Sequence, residues 1–223
     1  MQKVLGAAIV IFTLTGCSQS VQDYQQFNPQ LDVRQFFRGE ADAYGVMQNW
    51  QGKQNLHFTA RLCGVWQQNQ GDLYEIFQFS DGRTDKRHWQ LQVDDAGGIV
   101  GTAGDVVRQA TGQIAGNSMQ FAYTLRIPQT DGAIDVKVDD WMYLVAPDKL
   151  INRSTLHKFG LEVGQLTLAI QQTNANANCQ AFITEFEQTP VSPPVPQNHG
   201  LCRGRRRGSL KTHPNCPAKY RSA

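Results

Sequence analysis

The 223-residue chain has no apolar run long enough to cross a bilayer as a helix, which takes roughly 20 such residues. Its longest, residues 4–14, is far shorter. It also lacks G-x-S-x-G, a P-loop, G-x-G-x-x-G and H-E-x-x-H, so the common hydrolase, nucleotide and zinc chemistries have no motif to stand on. His57, His88 and His157 fall in three separate strand-like segments without metal-ligand spacing. Ser154 and His157, three apart on a predicted strand, lie on opposite faces. No catalytic residue, metal site or cofactor is therefore assigned, and the reading favours no enzyme. Acidic residues are missing from 199–223, where seven Lys and Arg gather. Apart from those seven and Lys3, the other 13 basic residues face all 19 acids across residues 18–198, a net charge of −6. The overall +2 belongs to the tail, and the acidic body argues against a nucleic-acid partner.

What the N-terminus does contain is one basic residue, a short apolar stretch and Leu14-Thr15-Gly16-Cys17. A charged start, about 7–15 apolar residues and small residues at the cut make a secretory signal. The last four residues resemble the lipobox of bacterial lipoproteins, in which the peptide is cut before the cysteine and the cysteine is acylated. The resemblance implies a signal peptide over 1–16 and a lipid anchor on Cys17, with a Gln- and Ser-rich spacer running to residue 30. Several acyl chains hold a protein to a membrane where one does not. Ser18 after the cysteine resembles lipoproteins sent to the outer membrane, so the body is expected to be tethered there, facing the periplasm.

The body, residues 31–188, opens with a short helix or turn ending at Gly39. From Leu56 the hydrophobic period is two. Trp89, Leu91 and Val93 alternate with polar residues, as do Met119, Phe121, Tyr123, Leu125 and Ile127, and then Leu166, Leu168 and Ile170. Turn residues such as Ser80-Asp81-Gly82-Arg83 and Asp95-Ala96-Gly97-Gly98 separate the runs. The pattern predicts an all-β fold with about eight to ten antiparallel strands, with no 10–15-residue helical pattern to supply parallel crossovers. Closing such a sheet removes its edges, so an up-and-down barrel is expected. Ala181 to Gln188 reads as a short helix or an added strand. Residues 189–223 read as a Pro-rich linker and a basic, unstructured tail that could meet anionic surfaces.

The stretches "GTAGDVVRQATGQIAGNSMQFAYTLRIP" and "VDDWMYLVAPDKLINRSTLHKFGLEVGQLTL", with Phe36-Phe37-x-Gly39 and Phe79-Ser80-Asp81-Gly82, resemble the DUF3833 family of Gram-negative lipoproteins across roughly residues 24–171. The resemblance implies a lipid-anchored envelope protein of no known activity that travels with enzymes modifying membrane fatty acids. Cys63 stands where an apolar residue is expected.

Gly64-Val65-Trp66 is similar to the G-x-W of lipocalins, where the tryptophan closes the barrel floor and a late-strand arginine packs across it; Arg153 is the candidate here. A lipocalin-like barrel holds either a packed core or one small ligand. Trp66, Phe79, Trp89, Phe121, Tyr123 and Trp141 are the candidate lining of an apolar cavity for a fatty-acyl or other apolar molecule. Asp140 joins Val136, Val138, Met142 and Leu144 on the inward side by alternation. A buried carboxylate needs a partner, and Arg153 and Asn152 are the candidates. Setting Cys17 aside, Cys63, Cys179, Cys202 and Cys216 remain for an oxidising compartment. Three connectivities are open, one of them 63–179 with 202–216. The competing reading is a structural or stress-related envelope protein without a small ligand.

Overall fold

A computed structural model describes residues 19–129 and 131–192. The signal segment, Cys17, Cys202, Cys216 and nearly all of the basic tail lie outside the described residues. Alternating side chains drive ten antiparallel strands: β1 Gly39–Asn49, β2 Gln54–Gln67, β3 Gln70–Phe79, β4 Thr84–Val93, β5 Gly98–Thr102, β6 Ala110–Ala115, β7 Ser118–Gln129, β8 Gly132–Ala146, β9 Lys149–Lys158 and β10 Leu161–Asn174. Each strand pairs with its chain neighbours, and β1 pairs with β10, so the sheet closes as an up-and-down barrel. In β7, Met119 and Phe121 are buried inside while Ala122 and Arg126 are exposed outside, the division the period of two requires.

The strand that alternation left unread is β1. Its inward residues before Met47 are Ala41, Ala43 and Gly45, so it carries little hydrophobic contrast. Small residues are needed there. Ala43 stands directly opposite Ala60 of β2, and a side chain on Gly45 would strike the Phe58 ring.

One end of the barrel is plugged by helix α1, Val33–Phe36. Asp32 caps it, accepting from the Arg34 amide at 2.9 Å. Leu31, Val33, Phe36 and Phe37 are buried in the core, and the two phenylalanines meet edge to face at 5.0 Å. Gln172 Nε2 of β10 closes the C-terminal side of α1, donating to the carbonyls of Gln35, Phe36 and Arg38 at 2.9, 2.8 and 3.0 Å. Trp66 lies buried in the same core, its ring stacked over the open face of Gly71. A Cβ on Gly64 would collide with the Phe37 carbonyl. Gly64→Ala is expected to displace the plug and cost about 2 kcal/mol or more, read as a lower urea midpoint at unchanged slope.

Residues 19–30, expected as a spacer, are instead packed on the barrel. A 3₁₀ turn, Val21–Tyr24, buries Val21, and Tyr24 packs on Tyr143 at 5.6 Å and on Trp141 at 6.0 Å. The Leu31 amide then donates to the Gly116 carbonyl at 2.8 Å. Composition alone reads this segment as solvated, yet its few apolar residues are enough to bind it down.

The second helix, α2 Gln180–Gln188, lies on the outer face of β2 and β3. Cys63 faces outward in β2 but is fully covered, because it forms a disulfide with Cys179 at the head of α2. Ile76 and Phe182 complete this outer cluster, Arg61 pairs with Glu185, and Lys86 Nζ donates to the Phe186 carbonyl at 2.7 Å. An apolar cysteine position in β2 is thereby explained by the helix that covers it.

Candidate functional site

The barrel is not filled. A cavity of about 100 Å³ lies inside it. Its apolar wall comes from β1, β2 and β10, with Ala43, Phe58, Ala60, Leu166, Leu168 and Ile170. The opposite wall carries charge: Glu75 on β3, Arg87 on β4, Tyr123 on β7, Asp140 on β8, and Asn152 and Ser154 on β9.

Register builds this cluster. Glu75 stands directly across from Arg87, and Asp140 across from Ser154. Arg87 Nε donates to both carboxylate oxygens of Asp105 at 3.0 Å, and Nη2 donates to Oδ2 at 2.7 Å. Asp105 belongs to the loop between β5 and β6 and is held there by the Arg126 amide, which donates to its carbonyl at 2.7 Å. Arg87 Nη1 comes only to 3.9 Å from Glu75 Oε2, beyond hydrogen-bond reach. That Glu75 oxygen is buried with no hydrogen-bond partner. Asp140 is better served: Ser154 Oγ donates to Oδ1 at 2.7 Å, and Asn152 Nδ2 donates to the same oxygen.

The electrostatics follow from burial. Loss of solvent pushes the Glu75 carboxyl up to about 7; Arg87 opposes this, while Asp105 and Asp140 add to it. Burial also raises Asp140, against the bonds from Asn152 and Ser154. For Arg87, burial acts downward, but Asp105 and then Glu75 outweigh it and hold the guanidinium above its ordinary value. Tyr123 is pushed well up by burial, with Asp140 adding to the effect. A folded-state value above the unfolded one means stability is full below about pH 4.5 and declines as pH rises through about 7. The shift corresponds to about 3 kcal/mol. Urea unfolding at pH 5 and pH 8 is expected to show this decline in the native chain and to lose most of it in Glu75→Gln. Equal slopes in the two proteins would mean the carboxyl titrates normally.

Of the residues nominated from sequence, Trp89, Phe121, Tyr123 and Asp140 line the cavity. Trp89 packs on Phe121 at 5.5 Å and on Tyr123 at 5.4 Å. Trp66 and Phe79 lie outside the lining, Trp66 near the plug and Phe79 toward the opposite end, where it packs on Phe58 at 5.3 Å and under Arg83 at 4.8 Å. Two nominations need correction. Trp141 follows Asp140 directly, so the two cannot share a face, and Trp141 packs outside on Tyr24 and Tyr143. Arg153, between the inward Asn152 and Ser154, is exposed and reaches Gln165 at 3.4 Å. Arg153 therefore neither pairs with Asp140 nor crosses Trp66; Asn152, the other candidate, is a partner of Asp140 together with Ser154. Glu75 and Arg87 were missed, although counting two back from Phe77 and from Trp89 reaches them both. Among the described residues no group of three or more His, Cys, Asp and Glu is arranged to hold a metal ion.

No curated protein matches the chain. Among solved structures it is similar to a protein of unknown function from the DUF3598 family of Nostoc punctiforme, at 11% identity and TM-score 0.46, over 66% of this chain and 51% of that one. The chain thus spans about half the length of that protein. It is also similar to an S-type phycobiliprotein lyase from Guillardia theta, at 9% identity and TM-score 0.46, over 70% and 99% of the two chains. A redesigned β-barrel matches at 14% identity and TM-score 0.36, over 63% and 95%. The family model described as protein of unknown function, DUF3833, matches residues 11–172, and the chain belongs to that family.

Proposed function

We propose that the barrel is a binding module for a small, largely apolar molecule of the cell envelope. The observation that carries this reading is the cavity, which has an apolar wall on β1, β2 and β10 and a polar wall across from it. At about 100 Å³ it is smaller than the 300–1,000 Å³ typical of pockets for drug-sized ligands. The ligand enclosed is therefore a head and a short apolar body, not a whole long acyl chain. A native mass spectrum of the full-length protein, taken after incubation with envelope lipid extract, tests this. The expected result is an added mass that disappears on denaturation. A clean apo mass overturns the reading in favour of an envelope protein that works through its surface. That alternative draws on an apolar rim at the end opposite α1, where Trp50 is 69%, Phe159 93% and Leu161 72% exposed.

The module is held to the outer membrane, facing the periplasm, by acyl chains on Cys17. The lipobox supports this, and so does the Cys63–Cys179 disulfide, which suits an oxidising compartment. Gln19, only two residues on, donates to Tyr143 Oη at 3.0 Å beside the plugged end. An anchor on Cys17 brings that end toward the bilayer and turns the apolar rim away from it. Cys17→Ser is expected to move the protein from the detergent phase to the aqueous phase on temperature-induced separation; unchanged partitioning counts against the anchor.

A further inference from the structure

The polar wall is unbalanced. One cation, Arg87, faces three carboxylates, Glu75, Asp105 and Asp140. Its Nε and Nη2 donors are already taken by Asp105. Beside Nη1, what is left over is mainly acceptors. Glu75 Oε2 is buried without a partner, and Asp140 receives both its bonds on Oδ1. Such a wall offers a carboxylate or phosphate head only Arg87 Nη1 and the Tyr123 hydroxyl, and sets three carboxylates against it. Its unused acceptors match a head that donates hydrogen bonds and carries positive charge. The rings of Trp89, Phe121 and Tyr123 lie within 6 Å of one another along the same wall, adding π faces that favour a cation.

We propose that the cavity selects a primary ammonium on a short apolar body, the ammonium seated between Glu75 and Asp140 and the hydrocarbon against Phe58, Leu166 and Leu168. This rests on the reading of the barrel as a binding module and names the chemical class of its ligand. The ammonium supplies the hydrogen bond that Glu75 Oε2 lacks and offsets the surplus negative charge. The apolar body takes up the side of the cavity that has no polar group.

Three probes of one length separate the possibilities: n-hexylammonium, n-hexanol and n-hexanoate, titrated calorimetrically into the full-length protein in detergent at pH 7. Hexylammonium is expected to bind at least tenfold more tightly than hexanol, with hexanoate weaker still. Glu75→Gln and Asp140→Asn, each checked for a native thermal transition, are expected to weaken hexylammonium about tenfold more than they weaken hexanol. Hexanoate binding as tightly as hexylammonium overturns the proposed class while leaving the binding module standing. Equal binding of hexanol and hexylammonium likewise removes the role of charge. Binding of none of the three, together with a clean apo mass after exposure to lipid extract, overturns both.

Discussion

Arg87→Met is expected to destabilise the protein by about 3–5 kcal/mol at pH 8, the usual cost of removing one partner from a buried ion pair. Arg87 is the only cation on the polar wall, and its side chain is 19% exposed. Methionine keeps much of the length of the stem and removes the charge. Asp105 then loses three hydrogen bonds and Glu75 its nearest cation. Glu75 answers by holding its proton more tightly, so part of the loss disappears as pH falls toward 5, where protonation neutralises it. Urea unfolding at the two pH values measures the difference. The double variant Arg87→Met/Glu75→Gln is expected to recover part of the loss at pH 8, and the size of the recovery gives the coupling between the two residues. A loss below about 1 kcal/mol in the single variant would mean that solvent reaches these charges freely.

The second large effect belongs to the disulfide. Cys63 and Cys179 are 116 residues apart, so the bond closes a loop that spans almost the entire barrel. In the chain-entropy account a loop of that length stabilises the folded state by close to 5 kcal/mol, and measured losses on removing native disulfides run at about 2–5 kcal/mol. Cys63→Ala/Cys179→Ala is expected to fall within that range by urea unfolding. The bond also determines where the loss appears. Without it α2 is held by Phe182, the Arg61–Glu185 pair and the Lys86 bond to Phe186, all on the outside of the barrel. Limited proteolysis of the double variant should therefore cut first between Asn174 and Gln180, with the barrel still intact. Simultaneous loss of helix and barrel would show instead that α2 folds as part of the core.

How much of this was legible in the sequence depended on whether the signal was local. Strands with large inward residues, such as Met119, Phe121 and Tyr123, could be read from alternation. β1 could not, since its inward side is mostly Ala41, Ala43 and Gly45, chosen for space rather than hydrophobicity. Asp140 could be placed inside by counting along one strand. Its partners needed the register of β8 against β9, which sets it opposite Ser154 and sends Arg153 outward. Glu75 and Arg87 were passed over because charge marks a residue as exposed, and it is Asp105, with Glu75 facing across from β3, that makes burial of Arg87 tolerable. Asp105 approaches from a loop, a contact that no periodicity encodes. The polar segment 19–30 was misjudged for the converse reason, a polar average hiding Val21 and Tyr24.

The facing pair Ala43 and Ala60 carries a further consequence. These two methyl groups stand on β1 and β2, while the charged residues of the cavity stand on β3, β4 and β8, so the room inside the barrel and the chemistry of its polar face are governed by separate residues on separate strands. Enlarging either alanine shortens what fits without altering how its head is recognised. Related chains can therefore drift in the length of molecule they accommodate by single substitutions at these two positions, each reversible, while the costly buried charges stay untouched.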